Sequence, residues 1–154
     1  MKQLLLVNGP NLNLLGTREP ELYGHETLDD VVALTTSVAA EFGLAVRAVQ
    51  SNHEGVLIDA IHEARRDCAA VIVNLGALTH TSLALRDALT GVGLPLAEVH
   101  ITNVHAREGF RGHSYISPIA NCVIVGAGIL GYEFAVRSLA HHIAAKPEQV
   151  LPSN

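Results

Sequence analysis

The run Glu98-Val99-His100-Ile101-Thr102-Asn103, followed closely by Arg107 and Arg111, gathers a carboxylate, an imidazole, a polar turn and two guanidinium groups. That set suits proton transfer on a small anion. An imidazole exchanges its proton near neutral pH, and guanidinium groups hold the oxygens of an anionic ligand. On a strand, a spacing of two puts Glu98 and His100 on one face, where the carboxylate orients the ring and favours its protonated form. Leu94-Pro95-Leu96-Ala97-Glu98-Val99 lacks a helical period and reads as a short buried strand that empties into a site at its carboxyl end.

A site at one strand end needs a sheet around it. Apolar runs bounded by Gly, Pro and Asn recur at Leu4 to Val7, Leu44 to Val49, Ala69 to Val73, Leu96 to Val99 and Cys122 to Val125, which predicts five strands. Their continuous apolar character is that of parallel strands covered on both faces. Helical periodicity is clearest from Leu28 to Phe42, with Thr27 as N-cap, Asp30 three residues on and Gly43 past the end. Further helices are predicted from Val56 to Asp67, from Thr81 to Leu89 and from Ile129 to His142. This alternation predicts an α/β chain with a single-domain, flavodoxin-like, doubly wound five-stranded parallel sheet over residues 1–144, and a flexible tail over 145–154. The stretches Asn8 to Asn13, Asn74 to His80 and His100 to Arg111 all follow strands, so their polar side chains should converge.

Composition narrows the chemistry. The 154 residues are 49% hydrophobic and 16% charged, with a mean hydropathy of +0.29, which predicts apolar surface left over for subunit interfaces. Ten basic and fifteen acidic residues give a net charge of -5, with no broad footprint for nucleic acid. Cys68 and Cys122 form no disulfide framework, the apolar run after Lys2 is cut short by Asn8-Gly9-Pro10, and no stretch has membrane-spanning length. A cytoplasmic protein is the expectation. No lysine occurs between Lys2 and Lys146, which removes Schiff-base and phosphate-loop chemistry from the body of the fold, and no G-x-S-x-G elbow supports a serine hydrolase.

Two other patterns compete for attention. Gly126-Ala127-Gly128-Ile129-Leu130-Gly131 satisfies G-x-G-x-x-G and would suit a noncatalytic flavodoxin-like nucleotide-binding module. The fingerprint, however, belongs to a β-α-β unit with an acidic residue ending the next strand, and here one helix and a tail follow; a close strand-to-helix turn needs small residues too. His100, His105 and His113 match no zinc spacing, and Arg107 and Arg111 lie among them, so no metal site is expected.

The first loop, Asn8 to Gly24, is long and aperiodic, as binding loops and lids are. Arg18 and Tyr23 stand out in it. Nearby cations favour the ionised form of a phenol, so Tyr23 is either a base activated by guanidinium groups or a packed tyrosine.

Asn8-Gly9-Pro10-Asn11-Leu12, Arg18-Glu19-Pro20 with Tyr23-Gly24, Gln50-Ser51-Asn52-His53-Glu54-Gly55, Asn74 with Gly76-Ala77 and Thr79-His80-Thr81-Ser82, Glu98 to Asn103, and Arg107-Glu108 with Phe110-Arg111 occur in that order. In combination they closely resemble the type II dehydroquinases, or 3-dehydroquinate dehydratases, from Leu4 to about His142. The resemblance implies anti elimination of water from 3-dehydroquinate to 3-dehydroshikimate through an enolate, without metal or organic cofactor. It casts Tyr23 as the base, activated by Arg18 and Arg107, and His100, oriented by Glu98, as the acid. It further implies that Asn11 stabilises the enolate oxygen, that Asn74, Ile101 and Thr102 meet the substrate carboxylate, and that His80 and Arg111 hold ring hydroxyls. The same resemblance implies trimers assembled into a dodecamer, in which Asp87 reaches a neighbour's site; pairing with Arg86 or solvent is its plainer alternative. Leu75 and Leu78 depart from the family's proline and aromatic residue, and both flank binding residues, so they bear on the rigidity or apolar wall of that loop. Aromatic biosynthesis and quinate breakdown require the same elimination.

Overall fold

All five apolar runs pair as parallel strands in the computed structural model, which describes residues 1–17, 19, 21 and 24–145. The strands are β1 (Gln3–Asn8), β2 (Ala45–Gln50), β3 (Cys68–Asn74), β4 (Leu96–His100) and β5 (Cys122–Val125), in the sheet order β2-β1-β3-β4-β5. Four α-helices connect or follow them among the described residues: α1 (Leu28–Ala40), α2 (Glu54–Ala64), α3 (Leu83–Val92) and α4 (Leu130–Ala145). This is the doubly wound flavodoxin-like order expected from the alternation of elements.

The strand pattern explains why both faces are dry. Leu4 and Leu6 of β1 pack with Ile72, Val99 and the α1 and α4 residues Val31, Val38, Ala135, Val136 and Leu139. Leu5 and Val7 point the other way, toward Val71, Val73 and the α2 and α3 residues Leu57, Ile61, Leu85 and Leu89. Successive residues of one strand thus feed opposite layers, and both layers must be apolar. The burial of these chains, each contributing about 1.5–3 kcal/mol when fully covered, is what holds the strand ends in register.

Helix boundaries follow the caps. Thr27 and Asp30 form a reciprocal capping box, with Asp30 Oδ2 accepting from the Thr27 backbone at 2.8 Å and Thr27 Oγ1 accepting from the Asp30 backbone at 3.2 Å. In α3 the cap is Ser82, whose Oγ accepts from Leu85 N–H at 3.0 Å, so the helix starts two residues after the expected Thr81 and runs on to Val92. The preceding residues, Gly76–His80, form a 3-10 turn instead. In α2 the helix begins early, at Glu54, and the stretch to Asp67 unwinds into turns; Asp67 then forms an ion pair with Arg47 of β2 at 2.8 Å.

Gly9 is the tightest crossing in the sheet's carboxyl edge. Its N–H donates to Asn74 O at 2.8 Å, and a Cβ built on it would lie 2.4 Å from the Leu75 carbonyl oxygen and 2.6 Å from the carbon. Those are backbone atoms of a fully buried residue. They cannot swing aside. Gly9→Ala is therefore expected to lower stability by about 1–3 kcal/mol, or more if β1 and β3 separate, seen as a fall in Tm of roughly 2–12 °C. A variant melting within a degree of the parent would show that the two strand ends yield more readily than their packing suggests.

Candidate active site

The carboxyl ends of the strands place polar side chains in a row. Register pairs Asn8 with both Gln50 and Asn74, so β2, β1 and β3 end side by side. Tyr132 of α4, fully buried, binds two of these ends together: its hydroxyl donates to Asn8 Oδ1 and accepts from Asn74 Nδ2, each at 2.9 Å. Burial pushes this phenol well above its ordinary titration range, outweighing the bond from Asn74, so it stays a neutral donor. Asn74 Oδ1 accepts from Gly76 N–H at 3.3 Å. With both amide ends assigned, the orientation of Asn74 is fixed, and its Nδ2 has a second hydrogen to offer.

On β4, Glu98 and His100 share a face as the strand period requires, with His100 Nε2 2.9 Å from Glu98 Oε1. Glu98 is 1% exposed and His100 7%. Burial by itself pushes the Glu98 carboxyl up; the hydrogen bonds from His100, Ser114 and Ser117 and the charge of His100 outweigh it and hold the group below the usual carboxylate range. Because a carboxylate only accepts, the imidazole hydrogen facing it sits on Nε2, and the proton available for transfer is the one on Nδ1.

His80 lies beside His100, ring centroids 6.4 Å apart and planes within 15°. Its Nδ1 is 2.6 Å from the His113 carbonyl oxygen, so that nitrogen carries the hydrogen and Nε2 is the other functional atom.

These groups face a cleft of about 190 Å³. Asn11, Asn74, His80, His100, Ile101, Thr102, Arg107 and Arg111 all line it, alongside apolar atoms of Pro10, Leu12, Leu15 and Val104. No carboxylate is among these lining residues, whereas Arg107 and Arg111 are, so the local field is positive despite a chain charge of -5. Glu108 stands behind both arginines, 2.9 Å from Arg111 Nε and 3.9 Å from Arg107 Nε. Its own backbone N–H, then Arg111, hold its carboxyl below the ordinary range. Asn11 adopts a left-handed conformation at φ 68°, held by its N–H donating to Asn52 Oδ1 at 3.0 Å, while Gln50 Nε2 bonds the same oxygen at 3.3 Å and Gly9 O at 3.2 Å.

The glycine-rich turn that imitates a nucleotide fingerprint has another use. Gly126 N–H donates to His100 O at 3.1 Å and Gly128 N–H to Ile101 O at 3.0 Å, so these amides brace the strand end that carries His100. A Cβ on Gly131 would meet Val99 Cγ1 at 3.1 Å and Ile124 Cγ2 at 3.3 Å. The motif is a close helix-on-sheet contact, and its three glycine amides are already bonded within the fold.

The sequence matches the dehydroquinase class II family over residues 2–140. The chain belongs to that family. It is 60% identical over 149 residues to "Catabolic 3-dehydroquinase 2" of Aspergillus flavus, covering 97% of this chain and 99% of that protein. It is 62% identical over 139 residues to "3-dehydroquinate dehydratase" of Corynebacterium glutamicum strain R, covering 90% and 96%. The crystal structure of type II dehydroquinase from Propionibacterium acnes superposes with a TM-score of 0.86 at 42% identity, covering 92% of this chain and 97% of that one.

Within this dehydroquinase family framework, eight of the twelve residues expected at the site line the cleft, and Glu98 supports one of them from behind. Arg18 and Tyr23 lie outside the described residues. Asp87 is exposed on α3 and does not line the chain's own cleft. Leu75 and Leu78 turn into the apolar layer under α2 and α3 and line no part of the cleft, so the departures at these positions alter packing beneath the loop. Sequence reading passed over Tyr132, Ser114, Ser117 and Glu108. The first three reach the site through partners distant in sequence, and the fourth shows merely as an acid between two arginines.

Proposed function

We infer that this protein is a type II 3-dehydroquinate dehydratase, a hydro-lyase that removes water from 3-dehydroquinate to give 3-dehydroshikimate. The observation that carries it is the buried Glu98–His100 pair opening, at the end of β4, into a cleft whose lining, among the described residues, has Arg107 and Arg111 and no carboxylate. A base takes the proton beside the substrate ketone, the electrons form an enolate, and their return expels the β-hydroxyl as water once His100 Nδ1 has supplied a proton. Hydroxide is a poor leaving group, which is why a positioned acid matters.

Tyr23 is the proposed base, with Arg18 and Arg107 favouring its phenolate. Asn11 places a polar group, or a water it holds, against the enolate oxygen, where a fixed dipole works better than solvent. The substrate carboxylate docks against the backbone of Ile101 and Thr102 and the side chains of Thr102 and Asn74; His80 and Arg111 take the ring hydroxyls. Residues 1–144 act as one catalytic domain without metal or organic cofactor, and 145–154 as a tail. The working assembly is a cytoplasmic dodecamer of trimers in which Asp87 serves a neighbouring cleft, in keeping with its exposure away from its own. In the cell the step belongs to the shikimate pathway leading to chorismate and aromatic amino acids.

Chelator-treated protein mixed with 3-dehydroquinate is expected to develop the ultraviolet absorbance of a conjugated enone at undiminished rate. Product formation no faster than in buffer would reject the activity, and a rate restored only by added metal would reject its cofactor independence.

A further inference from the structure

Both cleft imidazoles are held by one short segment, residues 113–117, which follows the arginine-bearing turn. The His113 carbonyl fixes His80. Ser114 Oγ donates to Glu98 Oε1 at 2.6 Å, and Ser117 Oγ donates to Glu98 Oε2. Ser114 Oγ also accepts from the N–H groups of Ile116 and Ser117, each at 3.0 Å. A hydroxyl has two lone pairs and one hydrogen; with both lone pairs occupied by amides, the Ser114 hydrogen can only be directed at the carboxylate.

Each Glu98 oxygen therefore receives a serine hydrogen, and Oε1 also faces His100. The strands beside Glu98 contribute Val73 and Val123, and His100 is the one charge acting on it among the described residues. The carboxylate cannot rotate without losing bonds in a buried place where water does not replace them. Its remaining interaction is with His100 Nε2.

We propose that Ser114 and Ser117 are positioning residues for the acid step: they lock the Glu98 carboxylate in the one orientation that sets the hydrogen of His100 on Nε2 and turns Nδ1 to the substrate. The inference rests on His100 being the proton donor. It also makes the 113–117 segment a common anchor for both rings, so that acid geometry and the hydroxyl-holding His80 are set together.

Ser117→Ala is the decisive variant, because the Ser117 hydroxyl bonds Glu98 whereas the Ser114 hydroxyl also closes a backbone turn that should remain intact. We expect kcat to fall about 10- to 100-fold, with KM changed by less than about threefold, the scale seen when a supporting hydrogen bond behind a working residue is removed. Losing a donor that stabilises the anion makes protonation easier, so the Glu98 carboxyl, followed by carbon NMR, should titrate at higher pH than in the parent. In nitrogen NMR above the ring's titration, His100 should change from hydrogen on Nε2 to a mixture of tautomers. Ser117→Thr, which keeps the hydroxyl, should restore all three. Unchanged Glu98 titration and His100 tautomer in folded Ser117→Ala would overturn the inference, whatever happens to kcat. Altered NMR behaviour with parental kcat would instead overturn His100 as the donor, and the positioning role with it. If Ser117→Ala does not fold, Ser117→Thr decides: its parental tautomer and turnover support the clamp, and a lost tautomer with parental turnover overturns it.

Discussion

Replacing His100 with Gln is expected to lower kcat by about 10²- to 10⁴-fold while KM moves much less, the loss typical of removing a positioned general acid. Glutamine is the informative choice. Its amide can still donate to Glu98 across the 2.9 Å now bridged by the ring, so the buried carboxylate keeps a partner and the variant folds. What disappears is the transferable proton. Glu98→Gln gives a complementary, smaller loss, since it leaves an imidazole in place and removes the charge and acceptor that orient it. Steady-state rates from the enone absorbance, with circular dichroism as the folding check, decide the matter. Turnover of the His100 variant within about threefold of the parent would remove His100 from the chemistry.

The electrostatic arrangement explains how one cleft supports both halves of the reaction. Arg107 and Arg111 give the wall a positive field that suits an anionic substrate, and His100 stands in that same wall. Glu98 supplies the local counter-charge. It does so from within the sheet, behind the ring, where it cannot repel the substrate. Glu108 plays the corresponding part for the arginines from the solvent side. His100, Arg107 and Arg111 are thus each backed by a carboxylate that does not line the cleft.

Much of this arrangement could be read from the chain, for reasons visible in particular residues. Continuous apolar runs such as Leu4 to Val7 are diagnostic because both faces of β1 are covered, and the period-two relation of Glu98 and His100 follows directly from the strand. The convergence of three loops followed from strands that are all parallel. Helix limits were less legible: Thr81 and Ser82 are both acceptable caps, and only the Gly76–His80 turn selects Ser82. Tyr132 stands 124 positions from Asn8, and nothing local in a helical tyrosine tells that its hydroxyl will tie β1 to β3. The serine clamp was hidden in the same way. Gly126 to Gly131 misled in the opposite direction, because tight helix packing and phosphate binding both require small residues.

The remaining chemical question is the base, for which the described residues offer one candidate beside the proposed Tyr23. Among the described lining residues, His80 Nε2 is the one alternative to the proposed Tyr23 once His100 is proposed as the acid, since arginines do not give up protons. The two rings, however, stand 6.4 Å apart and nearly parallel. A carbocyclic substrate between them would need about 3.5–4 Å to each ring, or at least about 7 Å in all, so at this spacing it is not sandwiched between their faces. Anti elimination takes the proton and the hydroxyl from opposite faces. A base on the face opposite His100 is what this stereochemistry asks for, and Tyr23, outside the described residues, is the proposed one. Tyr23→Phe is expected to lower kcat by about 10²- to 10⁴-fold with little change in KM, whereas His80→Gln should act chiefly on KM by loosening a hydroxyl contact. Burst-free steady-state rates for the two variants side by side separate the assignments. A collapse of kcat in His80→Gln, with Tyr23→Phe near parental turnover, would transfer the base to His80 and require the substrate to be gripped between the rings after they part.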